Sequence, residues 1–288
     1  MLFASVLRKT VLSLAIALAS CTGPQPAGTV VPGLPPGPSD APPQPARLAD
    51  HGASPAARTG DPEPATPTPQ APRVEERVLA GIPITAVAFD SPSHRLVVAD
   101  QPAGPGSIWP DAAAAARSRG GVAAVNGGFF TPEGAPLGLV IAGGKRAGRP
   151  NRASSLGAGL FVDDGSPALV RRDSGRSGAE LLQSGPFLVE NGRALPGLSP
   201  DSSTARTFIG WDGRSGWFIA RSGACSLAGL AKALEGAEIG GVTVRSVLNL
   251  DGGRSSELWA GAALPGGPLG QRPFWNKPVR NFLVLLPR

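Results

Sequence analysis

Residues 247–259 read VLNLDGGRSSELW. The apolar run Val247–Leu250 has the length of a buried strand and stops at one carboxylate, Asp251. Gly252, Gly253, Arg254 and Ser255 follow, and a second apolar run opens at Ser256 as SELWAG. No helical periodicity separates the two runs, so the stretch predicts strand, glycine-rich bend, strand. The same style recurs in PITAVAFD (83–90), HRLVVAD (94–100), GVAAVNG (121–127), GLVIAGG (138–144), GAGLFVDD (157–164), PALVRR (167–172), PFLVENG (186–192), RTFIGWD (206–212), GWFIAR (216–221) and NFLVLLP (281–287). Helix signals mark two segments. PDAAAAARSRG (110–120) opens on Pro110 and Asp111 and stops at Gly120, and SLAGLAKALEG (226–236) runs from Ser226 to Gly236. Strands outnumber helices and do not alternate with them. The expectation is a single strand-rich α+β domain with mixed or antiparallel sheets and a few helices, not a doubly wound fold.

That domain is expected over residues 74–288. Ahead of it, residues 22–73 are dominated by proline, alanine, glycine and threonine and lack apolar periodicity. Such a segment buries too little surface to offset its ordering entropy, so a disordered tether is expected. About fifty residues of this kind reach roughly 40 Å as a coil and about 160 Å when polyproline-like. Residues 1–21 carry Arg8 and Lys9, then the apolar VLSLAIALAS, then Cys21. The run is too short to span a bilayer and reads as a signal peptide. Leu18-Ala19-Ser20-Cys21 resembles a bacterial lipobox, with Cys21 as the lipidation site. The expectation is an exported cell-envelope lipoprotein held on a membrane through its acyl chains.

Charge and composition narrow the chemistry. The net charge of +6 admits a polyanion, yet the arginines are scattered and no basic run is interleaved with aromatics, so nucleic acid is not an expected partner. Cys225 is the single cysteine besides Cys21, which leaves no intramolecular disulfide framework and no cysteine-rich metal centre. With no catalytic histidine candidate nearby, Cys225 is expected to be a small buried side chain. Tyrosine is absent and histidine occurs only at His51 and His94. Acid–base work therefore falls to carboxylates, water or a bound ion. No cofactor is expected; the one metal candidate is a calcium ion on Asp251 and backbone carbonyls, without a spaced ligand set to support it.

Four stretches end an apolar strand in glycine-rich polar residues: AAVNGGFF (123–130), LLQSGPFLVENG (181–192), ARTFIGWDG (205–213) and LNLDGGRSS (248–256). Glycine permits close backbone approach, so N–H groups can face a ligand oxygen. Asn126 and Ser255 add donors, Arg206 supplies a planar fork suited to phosphate, and Asp251 supplies an acceptor or nucleophile. Each piece also has a plain structural meaning. Asn126-Gly127 and Asp251-Gly252 are common turn pairs, and Arg206 in a strand is commonly a surface charge. Asp212-Gly213 and AGGKR (142–146) read as hairpin turns, the latter lacking the ending of a P-loop.

The order of these pieces along the chain resembles the phosphodiester glycosidase family, over about Val78 to Leu286. The resemblance rests on Asn126-Gly127-Gly128-Phe129-Phe130, on LLQSGPFLVENG, on Arg206-Thr207 with Ile209-Gly210, on Asn249-Leu250-Asp251-Gly252-Gly253 with Ser255, and on Val279-Arg280-Asn281. It departs from the family pattern at Arg254, where members commonly carry a small residue. It departs again at Trp211, where eukaryotic relatives have a histidine, and in lacking cysteines near Lys277.

The resemblance implies hydrolysis of the anomeric C–O bond of a sugar-1-phosphodiester or phosphoglycan. Asp251, Arg206 and Asn126 would be catalytic. Gly127, Gly128, Ser184, Gly185, Thr207, Gly252, Gly253 and Ser255 would bind substrate. Under this reading Arg206 holds the departing phosphate with help from the Gly252 and Gly253 N–H groups. Asp251 serves as nucleophile, base or electrostatic stabiliser. Two other readings share the cleft: a non-catalytic glycan-binding lipoprotein, and a phosphodiesterase that cleaves P–O. Trp211, Trp217, Trp259 and Trp275 are candidates to stack on sugars.

Overall fold

The computed structural model describes residues 71–288. The signal segment, Cys21 and the proline-rich segment up to residue 70 lie outside the described residues.

Three large sheets carry the domain, and every strand pair in them is antiparallel. Among the described residues the mixed pairing allowed by the sequence does not occur; some neighbours are hairpin partners joined by short turns, and the rest are brought together from distant parts of the chain. The seven-stranded sheet runs in the order Arg73–Leu79, Ile82–Asp90, Gly216–Ser222, Thr207–Trp211, Ser246–Asn249, Phe187–Glu190 and Arg193–Ala194. A five-stranded sheet orders Leu269–Gln271, Leu258–Ala260, Ala123–Asn126, Asn281–Pro287 and His94–Asp100. The other five-stranded sheet contains Val140–Ala142, Glu180–Ser184 and Gly159–Asp163 flanked by Lys145–Ala147 and Ala168–Arg171.

One apolar centre joins all three sheets. Val87, Ile209 and Leu248 come from the first, Val125, Leu258 and Leu283 from the second, and Val140, Phe161 and Leu182 from the third. The two helices cover outer faces. Ala112–Ser118, capped by the Asp111 side chain, seats Ala112, Ala115 and Ala116 on Ala124, Phe282 and Val284. Leu227–Leu234, capped by Ser226, lays Leu230 and Leu234 on the opposite side of the seven-stranded sheet. An all-alanine face lets the first helix approach closely, while the second relies on leucine volume. Gly210 has a similar packing reason: a Cβ there would stand 1.9 Å from the Phe218 ring.

The hairpins at Gly143-Gly144 and Asp212-Gly213 form as expected, the second with Asp212 Oδ1 accepting the Arg214 and Gly216 N–H groups. The strand Arg73–Leu79 was not legible. Its sequence RVEERVL is charged and partly exposed because it is an edge strand, so it lacks the apolar alternation of the others.

Candidate active site

Asp251 follows the strand Ser246–Asn249, two residues beyond its end. Its backbone is fastened from two distant parts of the chain. The Asp251 N–H donates to the Gly127 carbonyl at 3.0 Å. Its carbonyl accepts the Asn126 side-chain amide at 2.7 Å and the Thr207 hydroxyl at 2.7 Å. The motifs NGGFF, RTFIG and LNLDGG thus meet at one residue, where the seven-stranded sheet approaches the five-stranded sheet that contains Asn126.

The Asp251 carboxyl is mostly buried. Burial pushes its pKa from 3.8 up to about 6, while the Ser255 hydroxyl and the Gly252 N–H, both donating to it, pull the other way. A carboxyl with that affinity is poised to exchange a proton near neutrality.

Arg206 borders the same bend. Its Nε–H donates to the Cys225 carbonyl at 3.3 Å and its Nη2 to the Ser202 carbonyl at 2.8 Å. A Cβ placed on Gly252 would lie 3.6 Å from Nη1. Among the described residues Nη1 has no protein acceptor, and no ion pair joins Arg206 to Asp251. Burial lowers the Arg206 pKa, yet the guanidinium stays charged. A cation and a partly protonated carboxyl therefore flank Gly252 without neutralising one another.

Most of the other expected ligand contacts are spent inside the protein. Asn126 is 0% exposed; its Oδ1 accepts the Glu257 N–H at 3.0 Å and its Nδ2 serves the Asp251 carbonyl. It positions Asp251 and presents no free amide to a ligand. The Ser184 hydroxyl donates to the Asn249 carbonyl at 2.8 Å, and the Gly185 carbonyl accepts Asn249 Nδ2 at 3.0 Å. Thr207 is fully buried on Asp251. Gly253 N–H donates to the Ala205 carbonyl at 2.8 Å, so it is not a phosphate donor. Gly127 N–H goes to the Asn281 carbonyl at 2.8 Å, and Gly128 N–H to Asn281 Oδ1 at 2.9 Å. The glycines allow close backbone approach, as expected, but the partner is the protein itself: a Cβ at Gly127 would stand 2.1 Å from Asn281 Oδ1.

Asn281 is accordingly the scaffold residue missing from the sequence-based set. Its place in Val279-Arg280-Asn281 was visible; its link to the NGG loop was not, since strand pairing across 153 positions creates it. Arg221 was also missed. It stands next to last in an apolar strand that runs into Gly223, a pattern close to the one that singled out Asp251. Burial lowers its pKa and no carboxylate pairs with it among the described residues; its Nε–H reaches only the Ser256 carbonyl at 3.4 Å. Glu257 is a third. Burial raises its pKa to about 7, and its Oε2 accepts the Ala112 N–H at 3.2 Å and pairs with Arg272 at 3.3 Å.

At Ala205 and Gly253 opens a cavity of about 350 Å³, lined also by Thr204, Arg221, Arg254 and Trp275; neither Asp251 nor Arg206 is among its lining residues. Of the four tryptophans considered as stacking candidates, Trp275 is the one that lines this cavity. Trp211 stacks on Trp217, which is 1% exposed, and Trp259 lies under the Arg117 guanidinium, so those three serve the packing. Cys225 is buried, and burial raises its thiol pKa, which suits the packing role expected of it. Among the described residues no three histidine, cysteine, aspartate or glutamate side chains group as metal ligands.

Comparison with known proteins gives these strands and loops a context. Residues 119–286 match the family model described as phosphodiester glycosidase. The uncharacterized protein YigE of Escherichia coli is 36% identical over 99 residues, a match spanning 30% of this chain and 39% of YigE. The catalytic domain of zebrafish N-acetylglucosamine-1-phosphodiester alpha-N-acetylglucosaminidase, auto-inhibited by its pro-peptide, superposes with a TM-score of 0.53 at 17% identity, covering 78% of this chain and 86% of that one. A hypothetical protein from Synechocystis gives a TM-score of 0.52 at 19% identity, covering 75% of this chain and 62% of its own. At these identities the structural likenesses speak to the fold.

Proposed function

The chain belongs to the phosphodiester glycosidase family, and from that membership we propose that it hydrolyses the anomeric C–O bond of a sugar-1-phosphodiester, with Asp251 and Arg206 carrying the reaction. The observation supporting this reading is the convergence at Gly252: a carboxyl of pKa about 6 on one side and an uncommitted guanidinium edge on the other.

The chemistry asks for little more. In ordinary glycoside hydrolysis a poor alkoxide leaving group needs an acid as well as a second carboxylate. A phosphate monoester leaves as a stable anion, its second pKa being about 6, so protonating it matters far less. In the proposed step the C–O bond to phosphate breaks and its electron pair leaves on the phosphate oxygen, which Arg206 Nη1 stabilises. Water bonds to the anomeric carbon. Asp251, ionised, takes the proton of that water, or first bonds to the carbon itself and is released by water afterwards. Asn126, Thr207 and Gly127 hold Asp251 in place throughout, and the Ser255 hydroxyl orients its carboxylate. The reading involves no cofactor.

The setting is proposed on other grounds. The basic, apolar and lipobox-like features of residues 1–21 support export and lipidation at Cys21, with residues 22–73 as spacer. Envelope or extracellular phosphoglycans are then the accessible substrates.

The test uses the purified chain and methyl N-acetylglucosaminyl-1-phosphate in heavy-oxygen water. Label in the sugar at its anomeric hydroxyl is the expected result. Label in the phosphate identifies P–O cleavage instead, and tight binding of this and related sugar phosphodiesters without any product identifies a glycan-binding protein.

A further inference from the structure

We infer that the cavity beside Gly253 is an aglycone subsite for a second anionic group, so that the preferred substrate is a sugar-1-phosphodiester whose leaving side carries another phosphate on a sugar or polyol. The inference rests on the functional reading given above and specifies its substrate.

Two guanidiniums, Arg221 and Arg254, line this cavity of about 350 Å³, and no carboxylate does. Arg221 is desolvated and without an acidic partner among the described residues. Arg221 is half-buried, and a partly desolvated cation without a carboxylate partner is stabilised by an anion that meets it. Arg254 is exposed, and its Nε–H is tied to the Trp275 carbonyl at 3.3 Å. That bond fixes the base of the side chain and leaves the two terminal nitrogens free to fork onto an oxyanion. The Trp275 ring, 66% exposed on the same cavity, offers an apolar face for the carbon skeleton between charges.

Position sets the role. Arg206 borders Gly252, and the cavity borders Gly253, the next residue along the chain. An aglycone leaving from a phosphate held at Arg206 would lie beside this cavity, where a second phosphate carried on a short polyol would meet Arg221 and Arg254. A neutral aglycone would leave the half-buried Arg221 unmatched. The arrangement favours a phosphate-repeating glycan or polyol chain over a singly charged diester.

The experiment measures binding, which does not depend on whether any bond is cut. Methyl phosphate and ethylene glycol bisphosphate are titrated into the full chain by calorimetry, for the parent, R254S and R221Q. A preference of about tenfold or more for the bisphosphate in the parent, falling below twofold in at least one variant, is expected. A parent preference below tenfold, or one that stays above twofold in both variants, overturns the inference. Arg254 is exposed with a single side-chain bond, so R254S keeps the fold even if R221Q does not. Failure of the heavy-oxygen hydrolysis assay with the bisphosphate preference intact would remove the reaction and leave the subsite; the opposite pattern would remove the subsite alone.

Discussion

The Asn126 side-chain amide donates to the Asp251 carbonyl at 2.7 Å across 125 positions of sequence. Asn126 also receives the Glu257 N–H on its Oδ1. One buried side chain thus ties the carboxylate-bearing bend to the strand beside it. Asn126→Ala leaves the Glu257 N–H and part of the Asp251 carbonyl without partners, and each such buried group costs roughly 1–3 kcal/mol. Urea denaturation should show a loss of about 2–4 kcal/mol, with kcat reduced more than KM is raised. A large rise in KM with unchanged stability would mean that Asn126 touches substrate after all.

Replacing the carboxyl itself should separate activity from stability. Asp251→Asn is expected to lower kcat/KM by more than about a hundredfold. Above pH 7 the same variant should melt roughly 2–8 °C higher than the parent, because it removes a charge held out of water. Turnover assays and calorimetry at pH 8 check the pair. A folded variant with near-normal turnover takes Asp251 out of the reaction.

The pH profile follows from the same carboxyl. With a pKa of about 6, Asp251 is mostly protonated at pH 5 and mostly ionised at pH 7. A base or nucleophile works ionised, so kcat/KM should rise through a limb centred near 6. A limb falling there would assign Asp251 as an acid.

Stability should move the other way. Asp251 and Glu257 have folded pKa values of about 6 and about 7, above their ordinary values of 3.8 and 4.5. Between those limits the folded chain binds more protons than the unfolded one. The destabilising contribution is absent below about pH 4 and complete above about pH 7, with each shift corresponding to about 3 kcal/mol. Denaturant midpoints measured from pH 4.5 to 8 should fall with rising pH more steeply in the parent than in Asp251→Asn.

Gly127→Ala tests the close approach. The added methyl would meet Asn281 Oδ1 at 2.1 Å, and relief requires shifting a side chain that holds Gly128 N–H. A cost of about 1–3 kcal/mol is expected from overpacking, more if the Gly128 bond is lost. Asn281→Ala, which makes room, should lessen the cost of Gly127→Ala in a double-mutant cycle.

How much of this was readable beforehand differs by kind of interaction. Strands such as HRLVVAD and NFLVLLP declared themselves because both faces are buried and the apolar run is local. Both helices carried their caps, Asp111 and Ser226, in the sequence. The antiparallel edge strand RVEERVL did not, since an edge position removes the pattern that makes a strand visible. At the site, the residue types pointed to loops that the structure brings together at Asp251, with Arg206 bordering the neighbouring Gly252. Side-chain commitments were another matter. Whether Asn126, Ser184, Thr207 and Gly253 face a ligand or the backbone depends on which carbonyls the sheets bring near them. Those partners lie up to 125 residues away. Spacing along the chain holds no such information.

The fastening of Asp251 has a kinetic corollary. Its N–H and carbonyl are bonded to elements that belong to separate sheets, so the residue cannot swing without undoing tertiary structure. Its amide should exchange with deuterium as slowly as those of the central strands, only when the entire domain opens. The bend that carries Asp251 is therefore not an element that closes around a ligand. Under the proposed function, discrimination among substrates would then reside in the shape and charge of a recess that is ready before the encounter.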